Sequence, residues 1–154
     1  MASGTSWREN VTEYRRGAHT IYDVQYHLVW VTKYRYHVLT GEVAVRAREL
    51  IRQSCMSRDI KILRGHIAKD HVHLLVSCPP TLSPAKIVQY VKGRSSRLLQ
   101  NEFAHLKKRY WGQHLWARGY FCATVGEVTT DLIAEYIKKH DEESPPENFA
   151  IHGE

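Results

Sequence analysis

A chain of 154 residues is long enough for one domain with a real core and too short for two. Its 43% hydrophobic and 25% charged residues give a globular balance, which excludes a fibrous or disordered chain. The net charge of +6 and a sequence pI near 9.3 favour a polyanionic partner, because Lys and Arg that neutralise phosphates release condensed counterions; solubility alone is the plainer account of the same charge.

No apolar run approaches the roughly 18 residues that a membrane helix needs. The start, Met1 to Ser6, lacks the basic and apolar regions of a secretory signal, so a cytoplasmic protein is expected. Cys55, Cys78 and Cys122 are widely spaced and odd in number. They suit buried thiols in a reducing compartment better than a disulfide framework or a thiolate zinc site.

In chain order, residues 1–20 read as a polar arm carrying Arg8, Arg15 and Arg16. Thr20 to Thr32 is rich in β-branched and aromatic residues and predicts a strand. Val43, Ala47, Leu50, Ile51 and Ser54 recur at helical spacing and predict an amphipathic helix from Thr40-Gly41 to about Met56. Residues 60–68 and Asp70 to Cys78 predict two strands of an antiparallel hairpin. Ser83-Pro84 is a helix start, with serine as cap and proline in the first turn.

After a basic linker, Leu115 to Val125 predicts a fourth strand, and Thr129 to Asp131 opens a last helix to about His140. The region 144–154, which contains Pro145-Pro146, reads as a C-terminal tail, leaving 21–143 as the one domain. The order of the first six elements is that of an α+β, ferredoxin-like or RRM-like fold: a four-stranded antiparallel sheet with helices on one face. The last helix is an addition.

His71-Val72-His73 lies in the third strand. Side chains two apart on a strand share a face, so both imidazoles can converge on one divalent ion; two ordinary strand histidines are the alternative. On the last helix, Tyr136 and His140 are one turn apart on one face, beside the apolar Leu132, Ile133 and Ile137. Together these residues suit phosphodiester chemistry. An ion offsets charge at the phosphoryl group, and tyrosine attack forms a phosphotyrosine diester that can later be rejoined.

Lys86, Lys92, Arg94, Arg97, Lys107, Lys108 and Arg109 stand against one acid, Glu102. Lys33, Tyr34, Arg35 and Tyr36 form a basic and aromatic loop. Phosphate contacts plus base stacking are how unpaired strands are held, so Lys33, Arg35, Lys92, Arg94 and Arg97 are candidate DNA contacts.

Four stretches then carry a resemblance over residues 13–143. They are Tyr14-Arg-Arg-Gly17, Tyr26-His-Leu-Val-Trp-Val-Thr-Lys-Tyr-Arg35, Asp70-His-Val-His-Leu-Leu-Val76, and Leu115-Trp-Ala-Arg-Gly-Tyr-Phe121 followed by Val125-Gly126 and Tyr136-Ile137. In this order they resemble the single-tyrosine HUH transposases of TnpA type. The resemblance implies that His71 and His73 bind Mg²⁺ or Mn²⁺ and that Tyr136 is the nucleophile on single-stranded DNA. The expected products are a 5′-phosphotyrosine and a free 3′-hydroxyl.

The resemblance also implies binding of hairpins near the element's ends and a homodimer with joined sheets. Where the family usually has glutamine, four residues after the tyrosine, this chain has His140, a third imidazole that favours Zn, Mn or Co. The readings that compete are a non-catalytic RRM-like module for single-stranded nucleic acid, a housekeeping relative that cuts extragenic hairpins, and a phosphodiesterase that uses water.

Overall fold

The computed structural model describes residues 14–124 and 149–152. Its strands are β1 (Arg15–Arg16), β2 (Ile21–Tyr22), β3 (Gln25–Val31), β4 (Lys61–Ile67), β5 (His71–Ser77), β6 (Phe121–Thr124) and β7 (Phe149–Ile151). Its helices are α1 (Gly41–Met56), α2 (Pro84–Glu102) and α3 (Ala104–Arg109), with a short 3₁₀ turn at Lys33–Arg35. None of the described helices is long and apolar enough to cross a membrane.

Among the described residues the main sheet has five strands in the order β6-β3-β5-β4-β7. The β3–β5, β3–β6 and β4–β5 pairs are antiparallel, and β4–β7 is parallel. The α+β class stands, but the sheet is mixed and five-stranded instead of antiparallel and four-stranded.

The extra strand lies within the region expected to be a tail. Phe149 and Ile151 are buried in the same core as α1, so apolar burial pins this three-residue segment. Such a strand is too short to show a period, and the prolines at 145 and 146 hide it in the sequence. The predicted last helix, with Tyr136 and His140, lies outside the described residues.

Strand alternation assigns the two faces of the sheet. Leu28 and Trp30 of β3 and Val72, Leu74 and Val76 of β5 enter one core with Leu50 and Ile51 of α1 and Val88, Val91 and Leu99 of α2. The helices α1 and α2 form where expected. Ser83 Oγ accepts from the Lys86 amide at 3.1 Å, with Pro84 in the first turn, so α2 begins at its predicted cap.

Other boundaries differ from the sequence reading. The first predicted strand is split: Ile21–Tyr22 pairs with Arg15–Arg16 in a separate two-stranded ribbon, and β3 starts only at Gln25. The end of the expected polar arm is therefore held in place. Arg15 donates to Asp59 Oδ1 at 2.7 Å and to the Ser77 carbonyl at 3.0 Å.

The basic linker contains α3. The fourth strand shrinks to Phe121–Thr124, preceded by one bridge between Thr32 and Trp116, because Gly119 at φ +83° leaves the extended region.

Gly65 on β4 lets β7 dock. It is paired with Phe149, and a Cβ there would lie 2.7 Å from Phe149 Cδ1. A Gly65→Val change is expected to push Phe149 out of the core and to lower stability by about 1–3 kcal/mol in urea unfolding, the usual range for overpacking.

Candidate active site

The second face of the sheet carries the histidines. In register, Val29 opposes His73, Val31 opposes His71, and His27 opposes Leu75. His66 on β4 opposes His73 from the other side. Directly opposed residues share a face, so His27, His66, His71 and His73 lie together on the side away from the helices. All four are buried.

His71 is fixed by its neighbour in sequence. Its Nδ1 lies 3.0 Å from Asp70 Oδ1, and both side chains are buried. Asp70 Oδ2 also takes a hydrogen bond from Arg35 at 3.1 Å and has His37 Nε2 at 3.8 Å. Burial by itself would raise the Asp70 pKa, but the His71 hydrogen bond and the charges of His71, Arg35 and His37 hold it below the usual carboxylate value.

A carboxylate acceptor beside Nδ1 selects the tautomer with the proton on Nδ1. That leaves the Nε2 lone pair bare, and His71 Nε2 has no hydrogen-bond partner among the described residues.

His73 Nε2 lies 3.3 Å from His27 Nδ1, with the rings tilted at 34°. His27 had no partner to name in the sequence; only the β3–β5 register brings it to His73. Neither ring nitrogen of His66 has a hydrogen-bond partner among the described residues.

Burial pushes the pKa of His73 down to about 3, with the charges of His27, His71, His66 and Arg64 adding to it. Burial takes His27 down to about 4, and burial with the charges of His71 and His152 does the same for His66. These imidazoles are neutral at physiological pH, the state that ligates a metal.

The donor chemistry fits a divalent ion: a bare, oriented, buried Nε2 on His71, and neutral His73 two residues along the same strand face. Among the described residues, no group of three or more His, Cys, Asp or Glu is arranged to hold one. The other two expected site residues, Tyr136 and His140, lie outside the described residues.

The candidate DNA contacts separate by their surroundings. Lys92 Nζ donates to the Ala117 and Gly119 carbonyls at 2.7 and 3.0 Å, clamping the loop before β6, and burial lowers its pKa. Arg94 ties α2 to α1 through the Leu50 carbonyl, Ser54 Oγ and Gln53 Oε1. Arg35 holds Asp70. Lys33 is half-buried with its ammonium 5.4 Å from the Tyr34 ring centroid, and Arg97 is exposed on α2.

The IS200-like transposase family profile matches residues 20–140. The chain belongs to the IS200-like transposase family. Family members are DNA-cleaving and strand-transferring enzymes, and this chain is one of them.

The ISDra2 transposase TnpA of Deinococcus radiodurans is 36% identical over 132 residues, covering 85% of this chain and 94% of that protein. The transposase of insertion sequence IS200 from Salmonella typhimurium is 36% identical over 126 residues, 82% of each. A crystal structure of a candidate transposase from Deinococcus radiodurans R1 superposes with a TM-score of 0.74 at 34% identity, covering 82% of this chain and 97% of that one. A REP-associated tyrosine transposase bound to a REP hairpin shares the fold, with a TM-score of 0.53 at 18% identity over 84% of this chain and 74% of that one.

Because the folded pKa values of His27, His66 and His73 lie below 6.5, the unfolded chain takes up protons first as pH falls. The contribution of these rings to the stability of this IS200-like transposase is therefore fully present above about pH 6.5 and is lost towards pH 4. In the absence of added metal, melting temperatures measured between pH 7.5 and 5 should fall by several degrees. A profile flat over that range would contradict neutral burial of these rings.

Proposed function

We propose that this transposase cleaves and rejoins single-stranded DNA at the ends of an insertion sequence through a covalent tyrosine intermediate. The observation that carries the reading is the buried His71 imidazole, tethered at Nδ1 by Asp70 and bare at Nε2, beside His73 on one strand face. In this reading His71 and His73 hold Mg²⁺ or Mn²⁺, with His140 as a third ligand. The bound ion supplies charge that polarises a phosphoryl oxygen and offsets negative charge in the transition state.

The chain's own nucleophile is Tyr136. Its phenol oxygen attacks phosphorus and loses its proton, the bond from phosphorus to the 3′ oxygen breaks, and that oxygen takes up a proton. The products are a 5′-phosphotyrosine and a free 3′-hydroxyl. Attack of a 3′-hydroxyl on the phosphotyrosine reverses the step, so rejoining needs no external energy source. The partners are a single strand that carries terminal hairpins and a second copy of the chain. The hairpin held by the REP-associated transposase of the same fold supports the first partner.

The test is an adduct assay with end-labelled single-stranded DNA from the gene's flanks and Mn²⁺, run on a denaturing gel. A metal-dependent covalent band, lost in Tyr136→Phe and in the His71→Ala/His73→Ala double variant, is expected. Cleavage without an adduct would replace this mechanism with hydrolysis by water. Binding with neither cleavage nor adduct would favour a non-catalytic module.

A further inference from the structure

The loop after β3 has a backbone that its residue types do not favour. Tyr34 has φ +61° and Arg35 has φ +54°, two successive non-glycine residues in the left-handed region. Glycine or asparagine occupies that region at far lower cost, and strain of this kind concentrates at ligand-contacting positions. The strain divides the loop's side chains. Arg35 turns in to the buried Asp70 carboxylate, and the Tyr34 ring is 67% exposed.

Tyr34 does not stand alone. Its ring lies 5.3 Å from the Tyr36 ring, which lies 5.5 Å from buried Tyr110. The Arg109 guanidinium sits 3.9 Å from the Tyr36 ring centroid, and the Lys33 ammonium 5.4 Å from that of Tyr34. The inner rings are thus braced while the outermost is open to solvent. Lys33 also lines a groove of about 700 Å³ between α2 and the segment before β6. Lys92, His114, Arg118 and Tyr120 line the same groove, and no Asp or Glu appears among its described lining residues.

We propose that Tyr34 is a stacking subsite for one unpaired base of single-stranded DNA, with Lys33 and Arg109 taking the adjoining phosphates. Lys33 leads the strand into the groove. A flat, exposed ring braced from behind and flanked by cations is the arrangement that binds unpaired bases with little sequence preference. Duplex DNA keeps its bases stacked on each other and has none to offer the ring. The subsite rests on the reading of this chain as a single-stranded-DNA enzyme, and Arg35 joins its loop to the His71 site through Asp70.

The experiment is fluorescence anisotropy with labelled oligothymidine of about 12 nucleotides, a length within the usual span of a single-strand site. It uses the full chain carrying Tyr136→Phe, without added metal, so that neither cleavage nor ion binding contributes. Tyr34→Ala is expected to weaken binding about tenfold, the usual loss on removing one stacking ring, and Tyr34→Phe to bind like the parent. Tyr34→Gly is expected to bind as weakly as Tyr34→Ala while melting no lower than the parent, because glycine relieves the left-handed backbone.

Unchanged affinity in Tyr34→Ala would overturn the subsite alone. A parent protein that fails to bind the oligonucleotide would overturn the single-strand reading together with it. Equal losses on blunt duplex and on oligothymidine would reassign Tyr34 to general backbone contact and overturn the stacking role. A change in sedimentation instead of affinity would make the patch an interface between copies of the chain.

Discussion

A carboxylate with no solvent exposure sits at the start of the central strand, and the candidate active site is arranged around it. Removing Asp70 from water is costly, and such a charge persists only if its oxygens are well paired. Here His71 takes Oδ1, Arg35 takes Oδ2, and His37 stands 3.8 Å away. The Asp70 backbone carbonyl also accepts the Thr32 amide at 2.9 Å, tying the end of β3 to the start of β5. Removing one partner of such a group typically costs about 3–5 kcal/mol, because the other charge stays buried. The carboxylate thus couples three things: the orientation of His71, the strained loop that carries Tyr34, and the alignment of the two central strands.

The sheet explains how the strand that carries the proposed metal ligands is also a core strand. All seven residues of β5 are buried, yet only Val72, Leu74 and Val76 enter the core beneath α1 and α2. His71 and His73 occupy the alternate positions, where burial is as deep but the neighbours are other imidazoles. Burial keeps His27, His66 and His73 neutral, so each withholds a proton that it would accept in water. Acid sensitivity is the consequence of keeping these nitrogens unprotonated.

Parts of this were legible in the sequence and parts were not, for physical reasons. The extents of α1 and of the β4–β5 hairpin follow from periodicity and turn position, and the start of α2 follows from its serine cap. Parity along one strand was enough to place His71 and His73 on one face. His27 could not be joined to them, because its meeting with His73 depends on strand register, a long-range property. β7 escaped because three residues show no period.

Charge counting does not show what else a basic side chain holds. Lys92 and Arg94 read as phosphate contacts in a basic run, and in the structure they also donate to carbonyls and side chains of neighbouring elements. Asp70 read only as the first residue of a predicted strand, since nothing local shows that three cationic or imidazole side chains will surround it.

The most direct measurement is the tautomer of His71. A long-range ¹H–¹⁵N correlation spectrum of the metal-free protein, assigned with His71→Gln, reports which ring nitrogen carries the proton. Zn²⁺, which is diamagnetic, is then titrated in. The account predicts a proton on Nδ1 of His71, an unprotonated Nε2, and a shift of that Nε2 resonance on Zn²⁺ binding. A proton on Nε2, or a His71 ring that Zn²⁺ leaves unperturbed, would contradict it.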